Sequence, residues 1–480
     1  MDFRTLPGDV VILIMQYLSA RDLAAITQTC RFLHDLVNGH GWRAHARYNV
    51  RPSHSLRKAL SIWDPYSQVK YQAITDHNWS KQHFIARPLN SKWAGKLQPA
   101  LTINDSRLFV GAGHAIYTYT FTSSKPCESP GIQAEGVYLI ADRFEARHDI
   151  TSLASVDAGG PDSTVFVGYA DGELERITLP SEKTSLDGVL WEPPVRNRWY
   201  FHGDDLIESL SSSGGYLLSL SSNGTAVFLN VATPTSGPQI LHLNVRSWSA
   251  YLSTRGSYSY AAFGASSVLS LTVHSISSSG LSHTPTAILT SGGGAEEQKQ
   301  SAVYGICGAP PSFPWGSSDQ IIVSGWYDGP VRVHDLRSSV RARMGDSTLG
   351  PAPLTPVLSV YDPWLFEPNY SVSCGGGSSS YIAAGTARHS VVAFWDVRNP
   401  AGGWSVHAPG NDSSPVYSVI LESSRLFGAT QSRSFVLDFG PNVHEETYPR
   451  LKHNNFRADG LKKTHRDDIG FYVTKYSHCR

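Results

Sequence analysis

The sequence predicts an α+β multidomain chain, in which a small all-α N-terminal module precedes a large all-β domain of seven similar units. Three observations carry this. Apolar residues recur at helical spacing over the first forty-odd positions. After Leu97 they collapse into short runs separated by Gly, Ser, Asn and Asp, repeating on a scale of roughly forty to sixty residues. The glycine, serine and aromatic content, with 42 glycines, also favours strands and turns over helix.

Taken in order, the first element is a helix over the apolar run Val10-Val11-Ile12-Leu13-Ile14 and on to Leu18. Pro7 fits its first turn, where a missing N–H costs little, and Val10, Ile14 and Leu18 recur every four residues on one face. Gly8 weakens that turn slightly. Ser19, with Asp22 three residues on, reads as a capping box opening a second helix, whose apolar positions are Leu23, Ile26, Cys30 and Leu33. A third short helix comes next. So short a stretch buries little core alone, and its apolar faces need a partner or a docked neighbour. Residues 48–96, basic and irregularly aromatic, read as a helical and irregular connector packed on the all-β domain.

These residues resemble an F-box. Leu6-Pro7, Leu18-Ser19, Asp22-Leu23, Cys30-Arg31 and Trp42 match that family's pattern in order. The resemblance implies binding of the Skp-type linker subunit of cullin-RING ubiquitin ligases through Leu6, Pro7, Val10, Ile14, Leu18, Leu23 and Leu33, some of which must also hold the module together. By family position, Leu6, Pro7 and Ile14 are the contacts expected first.

The repeated units fall at about 101–121, 150–179, 206–231, 248–274, 303–336, 370–397 and 416–439. Asp171-Gly172, Asn223-Gly224 and Asp328-Gly329 stand at the same place in their units, as expected of two-residue hairpins with positive φ. Candidate outer fourth strands lie at 138–144, 239–245, 286–289 and 356–360. Such units cannot bury both sheet faces alone, and stacking them radially into a closed ring solves this. Residues Trp93 to Leu97 are the candidate closing strand. The pattern resembles WD-repeat propellers, here seven-bladed: Trp395-Asp396 is a literal WD pair and His334-Asp335 takes the matching place. The Gly-His pair of that family is missing from its expected positions, so the resemblance does not carry over the buried His–Asp hydrogen bonds. Together the parts are similar to F-box/WD-repeat substrate adaptors, with boundaries at 1–47, 48–96, 97–445 and 446–480. A weaker likeness to dactylin-type members rests on Trp93 to Pro99, Arg107-Leu108-Phe109 and Ile116 to Tyr119.

Lys+Arg and Asp+Glu balance at 40 each, but residues 97–439 hold 29 acidic against 19 basic side chains. That excess disfavours a phosphate backbone, so nucleic acid is not an expected partner, whereas a basic partner would suit it. It fits simple solubility equally well. No apolar run is long enough to cross a bilayer and no secretory signal opens the chain, which reads as intracellular, cytoplasmic or nuclear, with no membrane partner. The 5 cysteines are isolated and lack CxxC spacing, so they read as reduced, mostly buried thiols rather than a disulfide or zinc framework. The tail 446–480 reads as a basic peripheral segment or a disordered end.

No catalytic constellation or cofactor loop is present: His444-Glu445-Glu446 lacks a second His, and Gly111-Ala112-Gly113 lacks a third glycine. The expectation is therefore a non-enzymatic adaptor without cofactor or metal. For target binding, the F-box/WD resemblance points to one rim of the ring, where Arg332, Arg388, Arg398 and Arg433 are candidates for reading phosphate. Arginines at blade ends are also commonly solvated or locally paired. Trp326 and Tyr327, with Trp248, Trp364 and Trp404, are candidate peptide anchors, and fit inter-blade packing as well. The function expected is the substrate-recognition subunit of an SCF ubiquitin ligase. The alternative is a propeller scaffold, or an F-box complex without a ligase role.

Overall fold

The computed structural model describes residues 6–123, 125–140, 146–156, 163–179, 189–190, 195–232, 237–254, 256–292, 300–310, 318–341, 351–410, 412–451, 460–463 and 469–479. Helices α1 (Gly8–Met15), α2 (Ala20–Ile26), α3 (Arg31–Leu36) and α4 (Trp42–Tyr48) form the N-terminal module, with a π-helical turn at Val37–Gly41. Pro7 stands at the N-cap of α1, one residue before the turn expected. The Ser19 hydroxyl accepts from the Asp22 N–H at 3.2 Å and the Asp22 carboxylate accepts from the Ser19 N–H at 3.2 Å, so the capping box forms as read. Val11, Met15, Leu23, Leu33, Val37 and Trp42 bury together, completed by Val69 from α6 (Pro65–Ser80). Between the module and α6 lies the short α5 (Arg57–Leu60).

The described strands form seven blades around a central channel, antiparallel except where Val189–Leu190 adds a parallel edge to Ile132–Leu139 of blade one. Their inner strands are Ala100–Ile103, Ile150–Ala154, Ile207–Ser213, Ser247–Ser253, Ser301–Gly308, Asn369–Gly375 and Val416–Leu421. Each packs against the next and the last against the first, so the ring is closed. Apolar residues of neighbouring blades interdigitate, as where Val323 and Val333 of blade five pack with Ile382 and Ala393 of blade six. Gly172, Gly224 and Gly329 take φ of 83°, 89° and 100°, which is why glycine occupies these hairpins.

Closure differs from the expectation. The outer strand of blade seven is Ile85–Pro88, paired with Ser434–Asp438, rather than 93–97. Trp93 and Leu97 instead run across the end of that blade, donating their N–H groups to Ser432 and Gln431 carbonyls at 2.9 and 3.1 Å, while their side chains join the blade-one core. The fourth strand of blade one is Ile132–Leu139, earlier than expected, and residues 141–144 of the expected strand lie outside the described residues. At the C-terminus, Lys475–Ser477 adds a fifth strand to blade six. His–Asp pairs do form within the ring, with His148 Nδ1 2.8 Å from Asp171 and the buried His478 Nε2 3.4 Å from Asp362. The thiols are less buried than expected: four are half-buried and Cys479 is exposed. Cys307 and Cys374, on neighbouring inner strands, bring their sulfurs within 3.5 Å, a proximity that a separation of 67 positions conceals in the sequence.

Candidate functional sites: an outward helix face and a channel mouth

Helix α1 is apolar on both sides. Val11 and Met15 point into the module, while Val10, Leu13 and Tyr17 are exposed and Ile14 half-buried. The buried stripe is therefore one position over from the predicted Val10, Ile14 and Leu18 face, about 100° around the helix. Leu13, 57% exposed, and Tyr17, 67% exposed, were not singled out from the sequence, because an unbroken run of apolar residues gives no preferred face. Of the other predicted docking residues, Pro7 is exposed and Leu6 and Leu18 are half-buried against the core. Leu23 and Leu33 are interior, at 0% and 8% exposure, so their first role is to hold the module together.

The module is fixed to the ring through α6 and the segment before it. Near the end of α6, Trp79 stacks on Phe439 at 3.6 Å, tilts against Tyr381 at 4.6 Å, and donates its indole N–H to the Ser423 carbonyl at 3.0 Å. The buried Glu422 carboxylate accepts from the backbone N–H of His54 at 2.5 Å and of Ser55 at 3.2 Å, and from the Ser55 hydroxyl. Arg51 donates twice to Asp76, at 2.6 and 2.7 Å, and once to the Gly377 carbonyl at 3.0 Å. Beneath this contact Arg425 and Asp438, both fully buried, pair at 2.8 Å. Residues 377, 422 and 423 belong to the turns joining the first and second strands of blades six and seven. They lie on the face away from the turns that join second to third strands.

That second face holds the channel mouth. The channel is a cavity of about 450 Å³ lined by all seven inner strands. Six of these strands carry a register shift at the same point, between Ile150/Ser152, Ile207/Ser209, Ser247/Ser249, Val303/Gly305, Asn369/Ser371 and Val416/Ser418. A bulge adds one residue and re-aims its side chain. The residues so added are Thr151, Glu208, Trp248, Tyr304, Tyr370 and Tyr417, and all six line the cavity. Trp248, Tyr304, Tyr370 and Tyr417 form a continuous arc with centroids 4.9, 5.1 and 5.9 Å apart. At its end the Arg246 guanidinium lies 3.9 Å over the Trp248 ring and pairs with Glu208. Burial pushes the Glu208 carboxyl and the Tyr304 hydroxyl above their ordinary pKa values.

The predicted target-binding residues scatter. Arg332, Arg388 and Arg433 belong to the mouth face and Arg398 to the opposite one, where it pairs with Asp396 at 2.6 Å. Arg332 is buried, bound to both oxygens of Asp328 at 2.8 and 2.6 Å, and packed 4.7 Å from the Trp326 centroid. Arg433 is fully buried and Trp326 nearly so, which removes both from contact with a partner. Trp404 is also interior, whereas Tyr327, at 57% exposure, Trp364 and Phe366 stand on the mouth face. Arg388 is exposed. The four arginines thus make no common phosphate cradle. Among the described residues, His148, Asp171 and Glu173 also gather on this face. Each is already paired, Asp171 with His148 and Glu173 with Arg198 at 3.1 Å, which reads as a structural ion network.

The structure is thus a helical module docked on one face of a seven-bladed β-propeller whose other face is open. Residues 3–47 match the family model described as F-box-like. Among solved structures, the chain is similar to Sqt1 of Chaetomium thermophilum, crystallised bound to the N-terminus of the ribosomal protein L10. Identity is 15% and the TM-score 0.47, over 71% of this chain and 83% of that one. No curated protein matches the sequence. No helix of the described residues is long and apolar enough to cross a membrane.

Proposed function

We propose that this chain is an intracellular substrate-recognition subunit of an SCF-type ubiquitin ligase. The outward face of α1, with Pro7, Val10, Leu13, Ile14 and Tyr17, docks a Skp-type linker and through it a cullin; the open face of the propeller holds a target protein. Neither nucleic acid nor membrane is a partner. The work of the chain is proximity, since holding a target lysine beside a charged conjugating enzyme speeds transfer that other subunits catalyse. On this reading residues 1–47 dock, 48–96 connect, 97–445 recognise and 446–480 form a peripheral tail, with the ring reaching back to Ile85 for its closing strand and Lys475–Ser477 of the tail pairing on the outer edge of blade six.

The observation that carries the proposal is the two-sided apolar character of α1 within an F-box-like module anchored to the ring. A helix apolar all round belongs in an interior, and α1 supplies an interior on one side only. The test is affinity capture of the tagged full chain beside a Val10→Asp/Leu13→Asp variant, with linker and cullin scored by mass spectrometry. Both replaced residues are exposed, so the variant should keep the melting temperature of the wild type and lose linker and cullin together. A folded wild type that captures neither leaves the propeller as a scaffold and ends the ligase reading.

A further inference from the structure

We propose that the channel mouth is a receptor for a cationic side chain, an arginine or lysine of a partner protein, held against Tyr304, Tyr370 and Tyr417 near the Glu208 carboxylate. This rests on the target-binding role proposed above for the source of that side chain, and it states the chemistry of the ligand.

The mouth already shows how it accommodates a cation. Arg246 lies over the Trp248 ring at 3.9 Å with its charge met by Glu208, so an aromatic face and a carboxylate together hold a guanidinium. The arc then continues through three more rings, and among the described residues no cation of this chain lies over Tyr304, Tyr370 or Tyr417. Aromatic faces carry negative quadrupole density, and they attract cations most strongly where water is partly excluded. Burial of Glu208 and Tyr304 marks such a place.

An anion fits poorly here. The one cation in contact with the arc, Arg246, is held by Glu208, so an incoming phosphate or carboxylate would have to displace that carboxylate to reach it. The wider charge agrees, because the acidic excess of residues 97–439 draws a basic partner towards the ring. Backbone geometry supports a built site as well. The rings sit at one repeated bulge on consecutive blades, which turns them into the channel instead of leaving them in the alternation of a regular strand.

The experiment uses the full chain and four labelled heptapeptides, Gly-Ser-Gly-X-Gly-Ser-Gly with X as arginine, lysine, citrulline or glutamate, read by fluorescence polarisation. The arginine and lysine peptides should bind at least about tenfold more tightly than the citrulline and glutamate peptides. Tyr370→Ala should remove about tenfold of the arginine-peptide affinity, while Tyr370→Phe, which keeps the ring, retains it. Glu208→Gln should weaken the arginine and lysine peptides and leave the citrulline peptide unchanged. Equal binding of citrulline and arginine, preference for glutamate, no binding of any peptide by the wild type, or full affinity in Tyr370→Ala would each overturn the proposal. Linker capture measured on the same samples separates the two readings. Cation preference without linker capture ends the ligase role alone, and linker capture without cation preference ends this inference alone.

Discussion

The two faces of the propeller are built from the same seven units and end up with opposite chemistry. On the face that carries the helical module, polar pairs join the parts, as with the buried Glu422 against the His54 and Ser55 backbone and the half-buried Arg51 against Asp76. On the mouth face, aromatic rings stand open, with Phe366 85% exposed and the Trp248-to-Tyr417 arc facing the channel. Buried, fully paired polar contacts fix one geometry, because breaking any of them strands a partner. Half-buried rings around an open cavity have free faces to offer a ligand and need no partner to stay in place. On the function proposed above, the difference teaches that one face holds an angle while the other exchanges partners.

The comparison can be broken first at Trp79. Trp79→Ala deletes the stack on Phe439 and the bond to Ser423, and should cost about 3–5 kcal/mol in urea denaturation. It should also expose the segment around residues 48–64 to proteolysis. Loss of stability without faster cleavage there would mean that Trp79 supports the blades alone.

Acid should act next, and mainly on the blades. Burial holds the imidazoles of His202 and His334 neutral, with pKa values of about 4 against roughly 6.5 in an unfolded chain. The unfolded chain therefore takes up protons first as pH falls. The stability these groups contribute is complete above about pH 6.5 and is lost as pH drops towards about 4, by up to about 3 kcal/mol each. His334→Gln should flatten the pH dependence of the urea midpoint in that window. An unchanged slope would show that His334 titrates alike in both states.

Smaller effects sharpen the contrast. Glu422→Gln should weaken the docked face by about 1–3 kcal/mol, since its carboxylate serves two backbone donors and the Ser53 and Ser55 hydroxyls, whereas Tyr370→Ala at the mouth should leave the melting temperature nearly unchanged. Equal losses from the two would erase the distinction between the faces. Ser19→Ala should cost about 1 kcal/mol by removing the cap of α2, detectable as greater hydrogen exchange over Ala20–Ile26.

Local chemistry explains what the sequence displayed. Asp171-Gly172, Asn223-Gly224 and Asp328-Gly329 need positive φ and therefore announce their hairpins, and Ser19 with Asp22 announces a helix start. The closing strand was misplaced because Trp93 and Leu97 look like strand residues, yet their apolar side chains cap a core while Ile85–Pro88 makes the ladder. The outward face of α1 was hidden by the continuous apolar run, in which Val10 and Val11 are equivalent until packing chooses between them. The channel arc was less legible still. Tyr304, Tyr370 and Tyr417 lie far apart in sequence and share a site only because a bulge recurs at one register, which residue type does not encode.

The most direct test of the division between the faces is hydrogen exchange of the full chain with and without saturating Skp-type linker. The account predicts protection confined to residues 6–17 and their neighbours in Val37–Gly41 and α4, with the channel strands 247–253, 301–308, 369–375 and 416–421 unchanged. Protection of those channel strands, with none over α1, would contradict it.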